Sequence, residues 1–361
     1  MLIGIDASRV KSTHRTGTEN YSYNLIKHLA KIDNKNRYRL YVQNDYDSSL
    51  DNLPNNFEIK VINYKKYWTQ IGLSLEMLRQ KPDVLFIPAH TIPFFAPKKT
   101  FLTIHDLAWK YYPEAYSKKD LFIQNANLKR AVKKNTGIVI YSRSTLSDLK
   151  KFYNIKNENI HFVSMGYEKI ISISDDKKYQ EYKPYILSVG RLETRKNIIG
   201  IIKAYNLLRK ERKIRHKLLL AGKPGYGYDE IKTEITKSKY YPKDIVELGY
   251  VSDDDLPAIY KNASMLLYPS LCEGFGFPIL EAHTFEIPVI TSNRSSMAEI
   301  ADGSALLVNP DKVFEIAAAM SQIINKPEIK KALNIKAKKV LSRYSWEQCA
   351  KETLAVFEEK K

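Results

Sequence analysis

Glu273-Gly274-Phe275-Gly276-Phe277-Pro278-Ile279-Leu280-Glu281 sets two carboxylates eight positions apart, with a Gly-X-Gly turn and a proline between them. The apolar run Met265-Leu266-Leu267-Tyr268 just before it reads as a short buried strand. Pro278 and the residues after it read as the first turn of a helix, where a proline's missing N–H costs nothing. Strand, glycine turn and helix N-terminus follow one another, and such a place offers unpaired N–H groups and partial positive charge to an anion. Glu273 falls just before the turn and Glu281 about one helical turn beyond it. Two carboxylates bordering an anion site suit a polyhydroxylated ligand that carries phosphate.

Strand-like and helix-like segments alternate on either side of this stretch. In the first half, apolar runs at Leu2–Ile5, Tyr38–Val42, Val84–Ile87, Phe101–Ile104 and Gly137–Tyr141 read as strands. Tyr21–Ala30, Tyr67–Arg79, Leu121–Lys133 and Leu146–Phe152 read as helices. The second half repeats the rhythm, with strands at Tyr185–Val189, Lys217–Ala221, Ile245–Leu248, Met265–Tyr268 and Val289–Thr291. Its helices are expected at Ile198–Arg209, Leu256–Tyr260, Ile279–Thr284 and Val313–Ile324. Alternation of this kind implies parallel sheets with right-handed crossovers. A chain of 361 residues is long for one core, and two domains are the natural expectation. The polar stretch Ser172–Lys183, ending at Pro184, marks the division. We therefore expect a first domain over 1–170, a linker over 171–184, a second domain over 185–344 and a terminal helix over 345–361 that packs back toward the first. Ligands of doubly wound sheets bind beyond the carboxyl ends of the strands, so a cleft between two such domains is the expected site.

Composition limits the classes. With 44% hydrophobic and 27% charged residues the chain is an ordinary globular one. Met1–Asp6 is too short and too soon acidic for a signal peptide, and no apolar run approaches the ~18 residues of a membrane span. Cys272 and Cys349 form no metal or redox pattern, and a cytoplasmic location is expected. The formal charge of +18 is uneven: residues 1–170 carry 27 Lys and Arg against 15 Asp and Glu, the remainder 31 against 25. This bias either keeps the chain soluble or attracts an anionic partner, nucleic acid or an acidic membrane.

Further constellations sit at strand ends. Gly190-Arg191-Leu192-Glu193-Thr194-Arg195-Lys196-Asn197 places three cations after Tyr185–Val189, the pattern of a diphosphate clamp. Arg191 and Lys196 are the candidates there, and Arg195 reads as an ordinary salt-bridge partner. His105-Asp106 could orient a hydroxyl or relay a proton, or could be a structural histidine bonded to a backbone carbonyl. His90 is a weaker candidate. Arg15–Tyr21 has one glycine, Gly17, far short of a dinucleotide fingerprint, although its place still permits substrate contact. Asp253-Asp254-Asp255 resembles a metal site but precedes a helix, where acids complement the dipole. No metal is expected. Tyr67–Arg79 sets Trp68, Ile71, Leu75 and Leu78 on one stripe, and Leu121–Lys134 sets Leu121, Leu128 and Val132 near four cations. Both read as inner faces of sheet-covering helices, with a membrane surface as the alternative.

Taken together, Glu273 to Glu281, Gly190-Arg191 through Lys196-Asn197, Leu219–Gly225, Leu248-Gly249-Tyr250-Val251 and Thr103–Leu107 resemble the retaining glycosyltransferases of family 4 in order and spacing. The likeness covers nearly the whole chain and is strongest from Gly190 to Asn309. It implies an α/β GT-B fold, two Rossmann-like doubly wound domains with the donor held mainly by the second. It also implies that Arg191 and Lys196 contact the donor diphosphate, that Glu281 binds the ribose hydroxyls, and that Val251 borders the base. Glu273, with backbone groups of Phe275, Gly276 and Phe277, is implied to hold the transferred sugar. His105 is implied to approach the sugar from the first domain as a catalytic residue, and Gly17 to line the cleft near donor and acceptor. No cofactor or metal is required on this reading. The donor resemblance favours GDP-mannose over a UDP-sugar, with the products of bacterial mannosyltransferases, O-antigen or other cell-surface polysaccharide, as the context. The acceptor is then a glycan or a lipid-diphosphate-linked glycan, and the basic first half would meet an anionic membrane at its inner face. Two departures concern the first domain: Thr16-Gly17-Thr18 stands where many members carry paired glycines, and Ser164-Met165-Gly166-Tyr167 replaces an asparagine-glycine turn.

Rival readings are a nucleotide-sugar epimerase or hydrolase on the same fold, and a nucleic-acid-binding protein using the basic half. The first lacks a second carboxylate near His105, and the second leaves Glu273 and Glu281 without a purpose, since carboxylates repel a polyanion.

Overall fold

The computed structural model describes residues 1–10, 17–170, 177–211 and 214–359. They form two compact units, Met1–Glu168 with Tyr344–Lys361, and Lys169–Arg343. The expected linker lies partly at 171–176, outside the described residues.

The first unit holds seven strands: β1 Leu2–Asp6, β2 Arg37–Val42, β3 Phe57–Val61, β4 Val84–Ile87, β5 Thr100–Thr103, β6 Gly137–Ile140 and β7 Ile160–Phe162. Their order is β3-β2-β1-β4-β5-β6-β7, and every pairing is parallel. The second unit holds β8 Tyr185–Val189, β9 Lys217–Ala221, β10 Ile245–Gly249, β11 Met265–Tyr268, β12 Val289–Ser292 and β13 Leu306–Val308. These are also all parallel, in the order β10-β9-β8-β11-β12-β13. Central strands such as Val-Leu-Phe-Ile (β4) and Met-Leu-Leu-Tyr (β11) are buried on both faces, as parallel sheets covered by helices require. The strand order reverses between β1 and β4 in one sheet and between β8 and β11 in the other. Each reversal leaves a crevice beyond the carboxyl ends of two adjacent strands.

The sequence reading missed β3, β7 and β13, and all three are edge strands. β3 is half-buried Phe-Glu-Ile-Lys-Val and β7 is Ile-His-Phe, so neither shows a continuous apolar run, while β13 is apolar Leu-Leu-Val but only three residues long and exposed at Leu307. It also missed helices Tyr228–Lys237 and Pro327–Leu341; the first buries only Ile231 and Ile235 fully.

One stripe assignment is corrected. Residues Trp68–Gly72 form a wide π turn that leads into helix Leu73–Arg79. The wide turn shifts the helical phase, so Leu73, Ser74, Glu76 and Met77 are buried while Leu75 and Leu78 face solvent. In helix Lys118–Lys133 the inward side is as expected, with Leu128 buried and Leu121 and Val132 packed on the same core.

The last helix, Trp346–Glu358, belongs to the first unit and packs on helix Gly17–Ile32. Ser345 caps it by accepting from the Gln348 N–H at 3.1 Å. Phe357 packs with tilted rings against Phe86 and Phe101, centroids 5.1 and 5.7 Å away. Gly166 permits this docking, because a Cβ there would fall 2.1 Å from the Trp346 ring.

Candidate active site

The crevice of the second sheet is built from the loops that follow β8 and β11, its two central strands. The chain ties these loops together through the backbone. Leu271 N–H donates to the Arg195 carbonyl at 2.7 Å, Arg195 Nη1 donates to the Cys272 carbonyl at 3.3 Å, and Asn197 Nδ2 donates to the Pro269 carbonyl at 3.2 Å. Glu273 enters between them and is 8% exposed. Lys196 Nζ pairs with Glu273 Oε1, and Arg195 Nη1 donates to Oε2 at 2.8 Å. Lys196 Nζ also donates to the Tyr268 hydroxyl at 2.7 Å, and Arg195 Nε reaches Glu193 Oε1 at 2.6 Å.

Burial by itself would raise the Glu273 pKa, as for any desolvated carboxyl. Lys196 and Arg195 together outweigh it and lower the value to about 2. The group is therefore a fixed negative charge at neutral pH and cannot act as a proton donor. The backbone around it is clamped from behind. Ser296 Oγ donates to the carbonyls of Glu273 and Phe275, each at 2.8 Å, and Ser295 Oγ accepts from the Glu273 N–H at 3.1 Å.

Gly276 then starts helix Phe277–Thr284 at φ +121°. A side chain there would be strained, and its Cβ would fall 2.7 Å from Met297 Cε. Pro278 in the first turn and Phe275, buried and near the Phe277 ring (centroids 5.1 Å apart), fix the entry into the helix. Glu281 lies on this helix and accepts from the Tyr260 hydroxyl at 2.6 Å. Its environment acts in the opposite sense to that of Glu273. Burial raises its pKa to about 7, and Asp253 adds to the rise against the Tyr260 hydrogen bond and the Lys196 charge. Lys196 is thus felt electrostatically by both carboxyls.

Arg191 is exposed, with Nη2 3.4 Å from the Pro224 carbonyl, and does not join the Glu273 cluster. Val251 is half-buried beyond the end of β10, which lies two strands from β8, roughly 10 Å away.

In the first unit, His105 follows β5. Its Nε2 bonds to the Pro88 carbonyl at 2.9 Å and its Nδ1 to the Tyr141 hydroxyl, while the Tyr21 ring meets it edge-on at 5.3 Å. A carbonyl partner makes Nε2 the protonated nitrogen, which leaves Nδ1 to accept from Tyr141. Burial lowers the His105 pKa. His90 is lowered to about 4 by burial, with Arg9 contributing. Asp106 accepts from Ala108 N–H at 3.0 Å rather than pairing with the His105 ring. Gly17 begins the first helix, and a Cβ there would meet nothing within 4 Å. The neighbouring Arg15 and Thr16 lie outside the described residues.

The sequence reading of Arg195 found its salt bridge but not its partner, because nothing local says that Glu273 lies across the loop. Tyr268, Ser296 and Tyr260 were not singled out at all; a tyrosine that ends a buried strand before an acid was the one available signal. Asp255 pairs with Lys178 at 2.6 Å at the start of helix Leu256–Lys261. Among the described residues no cluster of three or more His, Cys, Asp or Glu could hold a metal ion.

Two parallel doubly wound units, each with its crevice at a point of strand reversal, define the GT-B class. Residues 15–168 match the family described as Glycosyltransferase Family 4, and residues 169–340 match Glycosyl transferases group 1. The chain belongs to the family-4 glycosyltransferases. It is 26% identical to O-antigen chain mannosyltransferase B of Escherichia coli, over 95% of this chain and 96% of that one. It is 28% identical to O-antigen chain mannosyltransferase RfbU of Salmonella typhimurium, over 73% of this chain and 70% of that one. Among solved structures, WaaG, a glycosyltransferase involved in lipopolysaccharide biosynthesis, superposes with a TM-score of 0.73 at 15% identity over the whole of both chains. Anabaena HepE in complex with UDP-glucose gives 0.72 at 16% identity, covering 98% of this chain and 99% of that one.

Proposed function

We propose that this glycosyltransferase moves mannose from GDP-mannose to a glycan or lipid-diphosphate-linked acceptor in the synthesis of a cell-surface polysaccharide, with retention of configuration and without a metal. The observation that carries the reading is the Lys196–Glu273 pair, held where the loops after β8 and β11 meet. The sugar and its context rest on the two O-antigen mannosyltransferase relatives. HepE was solved with UDP-glucose, so a UDP-sugar is the competing donor.

In this reading the donor diphosphate takes the Lys196 ammonium and the Arg191 guanidinium, beside the first turn of helix Phe277–Thr284. As the glycosidic bond breaks, charge grows on the departing diphosphate, and these fixed positive groups stabilise it without reorganising. Glu273, permanently ionised, accepts hydrogen bonds from hydroxyls of the transferred sugar, while N–H groups of Phe275, Gly276 and Phe277 position it. Glu281 takes the ribose hydroxyls. Its protonation near neutrality lets it both donate and accept. Val251 borders the base. On the first unit, His105 is taken to approach the transferred sugar and Gly17 to border donor and acceptor; with both ring nitrogens bonded, His105 acts by holding the Tyr141 hydroxyl rather than by relaying protons.

Thermal-shift measurement against a panel of nucleotide sugars tests the donor. GDP-mannose and GDP are expected to stabilise the protein in proportion to RT ln(1 + [L]/Kd). Stabilisation by UDP compounds alone would move the assignment to a UDP-sugar, and stabilisation by no nucleotide would sink the transferase reading for this site. Transfer that survives chelation with EDTA supports metal independence. Donor turnover with water and no acceptor would favour the hydrolase alternative.

A further inference from the structure

The phase shift at Trp68–Gly72 leaves one side of the first unit unusually apolar. Leu75 and Leu78, 44% and 60% exposed, lie on the outer face of helix Leu73–Arg79. Phe94 and Phe95, 51% and 52% exposed, lie beside that helix, because the N–H of Phe94 donates to Ser74 Oγ at 2.6 Å. Arg130 of helix Lys118–Lys133 stacks on the Phe94 ring at 4.5 Å, and Lys134 Nζ donates to the Phe94 carbonyl at 2.9 Å. Phe122, 74% exposed, extends the surface, and Lys119 lies 5.5 Å over the Tyr67 ring. The two helices cover the same side of the sheet, since both contribute to one core cluster.

Segments 65–81, 92–99 and 118–134 carry twelve Lys and Arg against two acids, Glu76 and Asp120. Glu76 is buried toward Lys60, which leaves Asp120, exposed at the helix N-terminus, as the one outward acid against these cations. Leucine and phenylalanine side chains projecting among lysines match the boundary of an anionic bilayer. Apolar groups enter the acyl edge, and ammonium groups stay among the headgroups. A polyanion in water would leave Leu75, Leu78 and Phe122 without partners. Exposed apolar side chains grouped among cations mark an interaction surface.

We infer that the outer face of helices Leu73–Arg79 and Lys118–Lys133, with Phe94-Phe95 between them, docks the protein on an anionic lipid surface. The inference rests on the lipid-linked acceptor of the proposed function for its purpose, but its test does not. It names the partner, a bilayer rich in acidic lipid, and the side chains that enter it.

Sedimentation of the full chain with vesicles tests it. Binding is expected to vesicles of phosphatidylcholine mixed with phosphatidylglycerol, to fall with added salt, and to be absent with phosphatidylcholine alone. Lys118→Gln with Lys133→Gln is expected to weaken binding by about fivefold per charge. Leu78→Ser with Phe95→Ser and Phe122→Ser is expected to weaken it by roughly tenfold or more, since these exposed side chains would enter the acyl edge. Failure to bind acidic vesicles, equal binding to neutral ones, or wild-type binding by the apolar triple variant would each overturn the inference. So would a dimer on size exclusion that the triple variant abolishes with no vesicle binding, because the patch would then be covered by a second copy. Each variant's thermal shift with GDP-mannose separates the two proposals. Vesicle binding lost with the donor shift intact supports the surface, whereas a donor shift absent in every protein, wild type included, counts only against the donor assignment.

Discussion

Arg195 and Glu273, 78 positions apart in the chain, are joined by a charge-assisted hydrogen bond of 2.8 Å, with Arg195 held in turn by Glu193. Lys196 holds the other Glu273 oxygen. If a diphosphate draws Lys196 away, Arg195 remains to compensate the buried carboxylate.

Arg195 is therefore a positioning residue, and Arg195→Ala should raise the Glu273 pKa from about 2 toward its ordinary 4.5. The sign follows from linkage. A depressed carboxyl contributes stability that is present above the unfolded value and lost as pH falls through the folded one. The variant should lose on the order of 2 kcal/mol, with its acid limb in stability and in kcat moved to higher pH. Arg195→Lys should restore part of both. An unshifted acid limb alongside simple destabilisation would reduce Arg195 to a structural salt bridge.

Glu273→Gln keeps the shape but leaves Lys196 and Arg195 facing a neutral amide. Transfer should fall by about 10²–10³-fold, the range seen when one preorganised polar group is removed from a reacting centre. The thermal shift produced by GDP should persist, because the cations are freed rather than lost. Unchanged kcat in this variant would remove Glu273 from the chemistry.

The central strands and the helix after Gly276 were legible because each writes its signal locally, as an apolar run or as glycine followed by proline. Edge strands β3 and β7 were not, since polar residues interrupt them, and β13, Leu-Leu-Val, is apolar but too short to stand out. Leu75 and Leu78 misled for a different reason. Helical periodicity assumes a constant 100° per residue, and the π turn ahead of them breaks the phase. In the site, residue types gave Glu273 and Lys196, but pairings across 77 positions depend on β8 and β11 being neighbours. That is topology, which one loop's sequence does not contain.

His105 should remain neutral through the physiological range. Its pKa is lowered from 6.5 by burial, and its Nε2 proton is committed to the Pro88 carbonyl. In histidine NMR spectra its ring signals should not titrate at or above 6.5, whereas an exposed histidine should. Titration of His105 near or above that value would restore it as a proton-relay candidate.

Glu281 gives the opposite pH signature to Glu273. Its folded pKa is raised, to about 7 against an ordinary 4.5. The folded state thus binds more protons than the unfolded chain between those values, and stability falls as pH rises through that window. The loss is at most about 3 kcal/mol by linkage, and less to the extent that water reaches this half-buried group. Glu281→Gln abolishes the titration. The variant should match the wild type near the lower value and be the more stable protein above the upper one, while binding the donor more weakly. Parallel melting curves across this window for the two proteins would show that Glu281 is ionised in the unliganded fold.

Gly276→Ala tests the turn itself. At φ +121° an alanine is strained by about 1–3 kcal/mol, and its Cβ would press on Met297 Cε. The two contributions separate in a double variant. Met297→Ala removes the clash but not the backbone strain, so Gly276→Ala with Met297→Ala should recover folding stability more than donor affinity. In the proposed donor site the N–H groups of Phe275, Gly276 and Phe277 hold the sugar and phosphate, so on that proposal a rotated turn misdirects them even when the core is relieved. Chemical denaturation reports the first quantity and GDP-mannose titration the second. Full recovery of both in the double variant would mean that the glycine is there for Met297 alone, and that the turn's left-handed geometry has no part in binding.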